Sequence, residues 1–149
     1  MDLPVVRFVR IKCSVRRIRS GGRCVVHHAT GAGAKTFTLQ GSTAGTGLIS
    51  GVIPDGSGTT SLNKLGTGTW TISGANTFTG TASVNGGTLK LGAAGVIPDA
   101  CATTVNGTLD MNTYSETIGS LAGSGLVDNV AGGGTPTLTV GGNNTSTSF

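Results

Sequence analysis

Charge, aromatic rings and helix signals are all scarce in this chain of 149 residues. Only 11% of positions are charged and 4% aromatic, while 27 are glycine. That balance is far from the make-up of an ordinary cytosolic domain. No apolar run is long enough to cross a bilayer as a helix. The basic start is not followed by the apolar core of roughly 7–15 residues that a signal peptide needs. Cysteines are few and odd in number, Cys13, Cys24 and Cys101, so no paired disulfide framework is legible. The net charge of +4 is an uneven average. Residues 1–23 hold seven of the ten basic residues with one acid, Asp2; beyond them Lys35, Lys64 and Lys90 face Asp55, Asp99, Asp110, Glu116 and Asp128. The basicity belongs to the head alone, and three lysines argue against a nucleic-acid partner, which needs a basic folded surface.

What the chain does have is alternation. From Thr59 to Gly92, Trp70 and Ile72, then Leu89 and Leu91, alternate with Thr, Ser or Lys. This period of two marks strands with one buried face. Gly74-Ala75-Asn76 and Asn85-Gly86-Gly87 lie between them, residues that accept positive φ and turn a chain within a few positions. A disordered linker with the same Gly, Thr, Ser and Asn content would have no reason to keep its aliphatics in phase.

The text also recurs. Thr36-Phe37-Thr38-Leu39-Gln40-Gly41 and Thr137-Leu138-Thr139-Val140-Gly141-Gly142 both match the run that starts at Thr69-Trp70-Thr71-Ile72. Gly51-Val52-Ile53-Pro54-Asp55 returns as Gly95-Val96-Ile97-Pro98-Asp99. Val84-Asn85-Gly86-Gly87-Thr88-Leu89-Lys90-Leu91 returns, one Gly shorter, as Val105-Asn106-Gly107-Thr108-Leu109-Asp110-Met111. Imperfect repeats of short strands predict a stacked array, because no single repeat can bury its own face.

The stretch from Gly66-Thr67-Gly68-Thr69-Trp70-Thr71-Ile72-Ser73-Gly74-Ala75-Asn76-Thr77-Phe78-Thr79-Gly80 to Val84-Asn85-Gly86-Gly87-Thr88-Leu89-Lys90-Leu91-Gly92 resembles the autotransporter-associated β-strand repeat. That repeat belongs to the passenger regions of bacterial autotransporters, and partial copies here run from about Lys35 to Phe149. The resemblance implies an all-β, right-handed, single-stranded parallel β-helix. It also implies a surface-displayed or secreted passenger exported through a C-terminal β-barrel translocator, with adhesion to a glycan or protein as a common role.

The domain reading is a basic head, 1–30, outside the solenoid, and a β-helix segment, 31–149, that is truncated at its C-terminal end. The arginines of the head would each need a buried partner, and only Asp2 is at hand. The inward residues expected are Phe37, Leu39, Trp70, Ile72, Leu89, Leu91, Leu109, Met111, Leu138 and Val140. The two Val-Asn-Gly copies are expected on adjacent coils in register, with Lys90 beside Asp110 and Asn85 over Asn106.

Chemistry-bearing patterns are each better explained structurally. Gly31-Ala32-Gly33-Ala34-Lys35-Thr36 has Ala where a phosphate loop needs Gly, and no helix follows. Gly45-Thr46-Gly47-Leu48-Ile49-Ser50 misses the dinucleotide fingerprint at its last position and lacks a following helix; Gly45-Thr46-Gly47 reads as a corner, and Leu48 to Ile53 as a candidate second face. Cys24, His27 and His28 fall short of the four ligands of a zinc site. Lyase or hydrolase chemistry wants two carboxyls on one surface. The acids here are scattered singly, with Asp99 and Asp110 the one pair that stacking could bring together. The array holds no His. No catalytic, metal or cofactor residue is therefore assigned, and the chain is read as a non-enzyme. The rival binding surface is a flat face of outward Thr rows, from Thr36/Thr38, Thr69/Thr71, Thr77/Thr79, Thr79/Thr81, Thr137/Thr139 and Thr145/Thr147, suited to ice or carbohydrate. Irregular spacing in the sequence argues against rows in register, and leaves Thr as a β-favouring outward residue.

Overall fold

The computed structural model describes residues 7–9, 33–41 and 46–149. Among these the regular elements are strands: β1 Arg7–Val9, β2 Lys35–Leu39, β3 Thr46–Ile49, β4 Thr60–Lys64, β5 Thr69–Ile72, β6 Ala82–Val84, β7 Thr88–Leu91, β8 Ala102–Val105, β9 Thr108–Asp110, β10 Glu116–Ile118, β11 Ser120–Ala122, β12 Leu126–Asp128 and β13 Leu138–Val140. Their pairings are parallel. One sheet runs β1-β2-β4-β6-β8-β11, a second β3-β5-β7-β9-β12, and a third pairs β10 with β13. The chain thus winds as a parallel β-solenoid of about five turns. Coil 1 is β2 and β3, coil 2 β4 and β5, coil 3 β6 and β7, coil 4 β8 to β10, and coil 5 β11 to β13.

Each of the two long sheets turns two ranks of side chains inward, stacked coil upon coil. In the second sheet Trp70 lies in register with Leu89, and Leu89 with Leu109; beside them Ile49, Ile72 and Leu91 form a parallel rank. In the first sheet Phe37, Leu62 and Ala82 align, as do Val84 and Val105. All of these are buried, together with Ile53, Phe78, Val96, Ile97 and Ile118 from the third side. A thin solenoid has no other interior, so these ranks, with Leu39, Cys101 and Met111, make up the apolar core of the described residues.

The register expected from the Val-Asn-Gly copies is present: Val84 pairs with Val105, Leu89 with Leu109 and Lys90 with Asp110. Asn106 Nδ2 donates to Asn85 Oδ1 at 3.1 Å. The extra glycine of the first copy is absorbed at its corner, where Gly87 takes φ +59, a conformation that costs glycine least.

Other matches of text do not coincide with matches of place. Thr36–Leu39 lies in the first sheet and Thr69–Ile72 in the second, while Leu138–Val140 pairs with β10 in the third. The common pattern is that of any half-buried strand, so it marks strands without saying which side of the coil they occupy. The Gly-Thr-Gly corner is also corrected: Thr46 and Gly47 belong to β3. Gly47 lies under Trp70, and a Cβ there would run into the indole. Its glycine answers to a neighbour on the next coil. Val140 is 46% exposed and Leu138 half-buried, because β13 lies on the last described coil with no further strand stacked over it.

In the head, β1 pairs with β2, Arg7 on Lys35 and Val9 on Phe37. The expected boundary near residue 30, with Cys13, Cys24, His27 and His28, lies outside the described residues. Leu89→Ala should lower stability by about 2–5 kcal/mol through the cavity it leaves between coils. Chemical denaturation of variant and parent checks this, and an unchanged midpoint contradicts the stacking.

Candidate functional site

The acids distribute around the solenoid and most are already engaged. Asp55 closes the first Pro-Asp turn: Oδ1 accepts from Thr60 N at 2.7 Å and Thr79 N at 2.9 Å, and Oδ2 accepts from Thr79 Oγ1 at 2.6 Å. Desolvation pushes this carboxyl up, but those hydrogen bonds, with Lys35 nearby, outweigh it and hold it below the usual aspartate value. Asp110, 3% exposed at its side chain, forms an ion pair with Lys90 at 3.7 Å. Its Oδ1 accepts from Asn112 N at 2.9 Å and Val130 N at 3.1 Å. Its partners in register are Lys90 and Asp128, so the pairing of Asp99 with Asp110 considered from sequence is not the one stacking produces. Asp99 is exposed in its turn.

The interior holds polar groups that the sequence reading left outside. Lys64 is fully buried, in register with Leu39 below and Val84 above. Its Nζ donates to the carbonyls of Leu65 (2.9 Å), Gly66 (3.0 Å) and Gly86 (2.9 Å). Three acceptors match the three N–H groups of an ammonium, while burial pushes the amine below the usual lysine value. Lys35 is buried as well, donating to Gly58 O at 2.9 Å. The strand phase contained the signal, since Lys64 alternates with Thr60 and Leu62; the general rarity of buried lysine hid it.

Asn76 gives a second correction. No residue of Gly74-Ala75-Asn76 takes positive φ, and Asn76 points inward. Its Oδ1 accepts from Ile53 N at 2.8 Å and its Nδ2 donates to Val96 O at 2.7 Å. The two Gly-Val-Ile-Pro-Asp copies therefore do not stack on each other. They sandwich Asn76, one coil below and one above. Two coils further on, Glu116 fills the matching place: Oε2 accepts from Val96 N at 2.9 Å and Oε1 from Thr117 N at 3.3 Å. Burial raises the Glu116 carboxyl above its usual value, the amides of Val96, Ile97 and Thr117 pull it back, and Asp99 raises it further. This ladder ties the third side of the solenoid together before its strands begin at β10.

On the outer faces, pairing brings Thr46, Thr69, Thr88 and Thr108 into one rank on successive coils. Corners absorb the irregular spacing that had argued against such rows. The rank beside it reads Leu48, Thr71, Lys90 and Asp110, so the hydroxyls form a single row and not a two-row face. Of the weighed loop patterns, Lys35 and Thr36 sit in β2 and Thr46–Ile49 in β3, with no helix following either.

Because the folded Glu116 carboxyl titrates above the unfolded value near 4.5, the native state holds its proton longer. Its contribution is therefore fully present below that pH and is lost as pH rises through the folded value. Urea unfolding at pH 4 and pH 7 should show the parent losing stability relative to Glu116→Gln over this window; parallel pH profiles contradict it.

The passenger-associated-transport-repeat family matches residues 62–91, from the inward Leu62 to Leu91. The chain is also 49% identical over 95 residues to the adhesin BmaC autotransporter of Brucella suis biovar 1 (strain 1330). That stretch is 62% of this chain and 3% of the adhesin, so the chain spans only a small part of its relative's length. No solved structure matches the chain significantly. Repeat text, stacked parallel coils and both matches agree that this chain is similar to the repeat regions of autotransporter passengers, with the repeat itself at residues 62–91.

Proposed function

We propose that the array is a non-catalytic stalk segment of a passenger displayed at the bacterial surface, one that assists its own secretion by folding coil by coil as it emerges. The observation that carries this reading is the pairing pattern. Along each sheet every strand is hydrogen-bonded to the strands of neighbouring coils, so each new coil needs only the coil already folded as its template. Forming it would bury a further inward rank and oppose slippage back into the cell. In the full-length protein the partner for export is a C-terminal β-barrel translocator. The similarity to an adhesin supports a surface location and an adhesion-related role, for which the stalk supplies reach. A non-enzymatic reading is supported by the acids: Asp55 and Asp110 are consumed by hydrogen bonds, and Glu116 lies inside.

The test places the segment between a signal peptide and the barrel of a working autotransporter. With Leu89→Asp, a charge is forced into the apolar rank and the stack should not close. Surface display, read by external protease and normalised to barrel abundance, should fall several-fold relative to the parent. Equal display of a segment shown to be unfolded would remove folding as a contribution to secretion.

A further inference from the structure

Asn-Gly occurs twice in this chain, as Asn85-Gly86 and Asn106-Gly107, at the same corner of successive coils. Both asparagines are exposed. Each is held toward the preceding coil, Asn85 Nδ2 donating to Asn63 Oδ1 at 3.0 Å and Asn106 Nδ2 to Asn85 Oδ1 at 3.1 Å. A glycine after asparagine has no Cβ to keep its backbone nitrogen from the side-chain carbonyl carbon. The two corners differ in what holds that nitrogen. Gly107 N–H donates to Val84 O at 2.8 Å. Among the described residues, nothing accepts from Gly86 N–H.

A second difference is charge. The buried Lys64 ammonium donates to Gly86 O at 2.9 Å, which places a cation within a residue of the Gly86 nitrogen. Cyclisation requires that nitrogen to lose its proton, and a neighbouring buried cation stabilises the resulting anion far more than bulk water would. Val84, in register with Lys64 one coil on and with Val105 beyond it, stands where the other corner would need such a lysine. One Asn-Gly pair is therefore activated and the other restrained.

We propose that Asn85 is a self-modification site, converted from amide to carboxylate by the chain itself, with Lys64 as the positioning residue that sets its rate. Gly86 N gives its proton to solvent and attacks Asn85 Cγ. The new N–Cγ bond replaces the Cγ–Nδ2 bond, and Nδ2 takes up a proton and leaves as ammonia. One water then opens the cyclic imide at either carbonyl, giving aspartate or isoaspartate. Water is the co-reactant and ammonia the product, with no change of oxidation state. Conversion removes the Nδ2 donor from Asn63 and sets a carboxylate against its Oδ1. Isoaspartate also lengthens the backbone beside the carbonyl that caps Lys64. The modification therefore loosens the corner that joins coils 2 and 3.

The full chain is incubated at neutral pH, and peptides covering residues 85 and 106 are followed by mass spectrometry for amide-to-acid conversion. A parallel incubation in urea serves as the unrestrained reference. In the folded chain, Asn85 should convert about five-fold or more faster than Asn106, the factor that one lost hydrogen bond is worth. In urea the ratio should fall toward one. Lys64→Met, its fold checked by circular dichroism, should slow Asn85 and leave Asn106 unchanged. Equal rates in the folded chain, a ratio that urea leaves unaltered, or no conversion at either position overturns the proposal. An Asn85 rate unaffected in folded Lys64→Met overturns the role of the lysine.

Discussion

Everything in this molecule depends on the parallel hydrogen-bond ladder between one coil and the next. A strand of three to five residues can neither cover its own apolar face nor satisfy its own amides and carbonyls. Stacking does both together, and it aligns the side chains of successive coils. The inward position above Trp70 must therefore be apolar and fitted to Trp70, as Leu89 is, and the one beneath must be small, as Gly47 is. Coil length, by contrast, is free. Lys35 pairs with Thr60 while Ala102 pairs with Ser120, and the difference is taken up between strands. Tolerance at the corners and strictness in the ranks follow from the same ladder.

The corners create a problem that the strands do not have. Turning the chain aims some backbone carbonyls and amides into the interior, where an unmatched polar group costs about 1–3 kcal/mol. The solenoid answers with single buried polar side chains, each fitted to its corner. Lys64 supplies three donors to three carbonyls, Asn76 one acceptor and one donor to two coils, and Glu116 acceptors to amides. Among the described residues no buried side-chain nitrogen or oxygen lacks a partner. These groups give the coils a defined order that aliphatic ranks alone would leave degenerate, because a Leu accepts any apolar neighbour.

Strand existence, phase and the Val-Asn-Gly register were legible because they follow from period-two alternation and a long shared text. Phe37, Leu39, Trp70, Ile72, Leu89, Leu91, Leu109 and Met111 are buried as that alternation requires. The side of the coil was not legible from the shorter matches: Thr-Phe-Thr-Leu, Thr-Trp-Thr-Ile and Thr-Leu-Thr-Val satisfy the same pattern on three different sheets. Nor were the interior polar groups. Asn76 looks like a corner residue until Ile53 and Val96 are seen on either side of it, and Lys64 looks like a solvated lysine until three carbonyls surround its amine. Asn76 depends on Ile53 and Val96, and Lys64 on Gly86 as well as on the adjacent Leu65 and Gly66, so each needs a neighbour on another coil that local pattern does not contain. The Thr46 rank was hidden for the same reason, since uneven spacing along the chain becomes even spacing across the stack.

The central claim is the register, and cross-linking reads it directly. Ser83 and Thr104 are in-register neighbours on adjacent coils, both on the outward side of the first sheet. Paired strands lie about 4.8 Å apart, within the span of a disulfide; a residue two positions along is too distant. With Cys13, Cys24 and Cys101 replaced by Ser, Ser83→Cys combined with Thr104→Cys should oxidise readily to an intramolecular disulfide, and Ser83→Cys with Ala102→Cys should not. Preferential bridging of the second pair would place the coils in a different register and contradict the account.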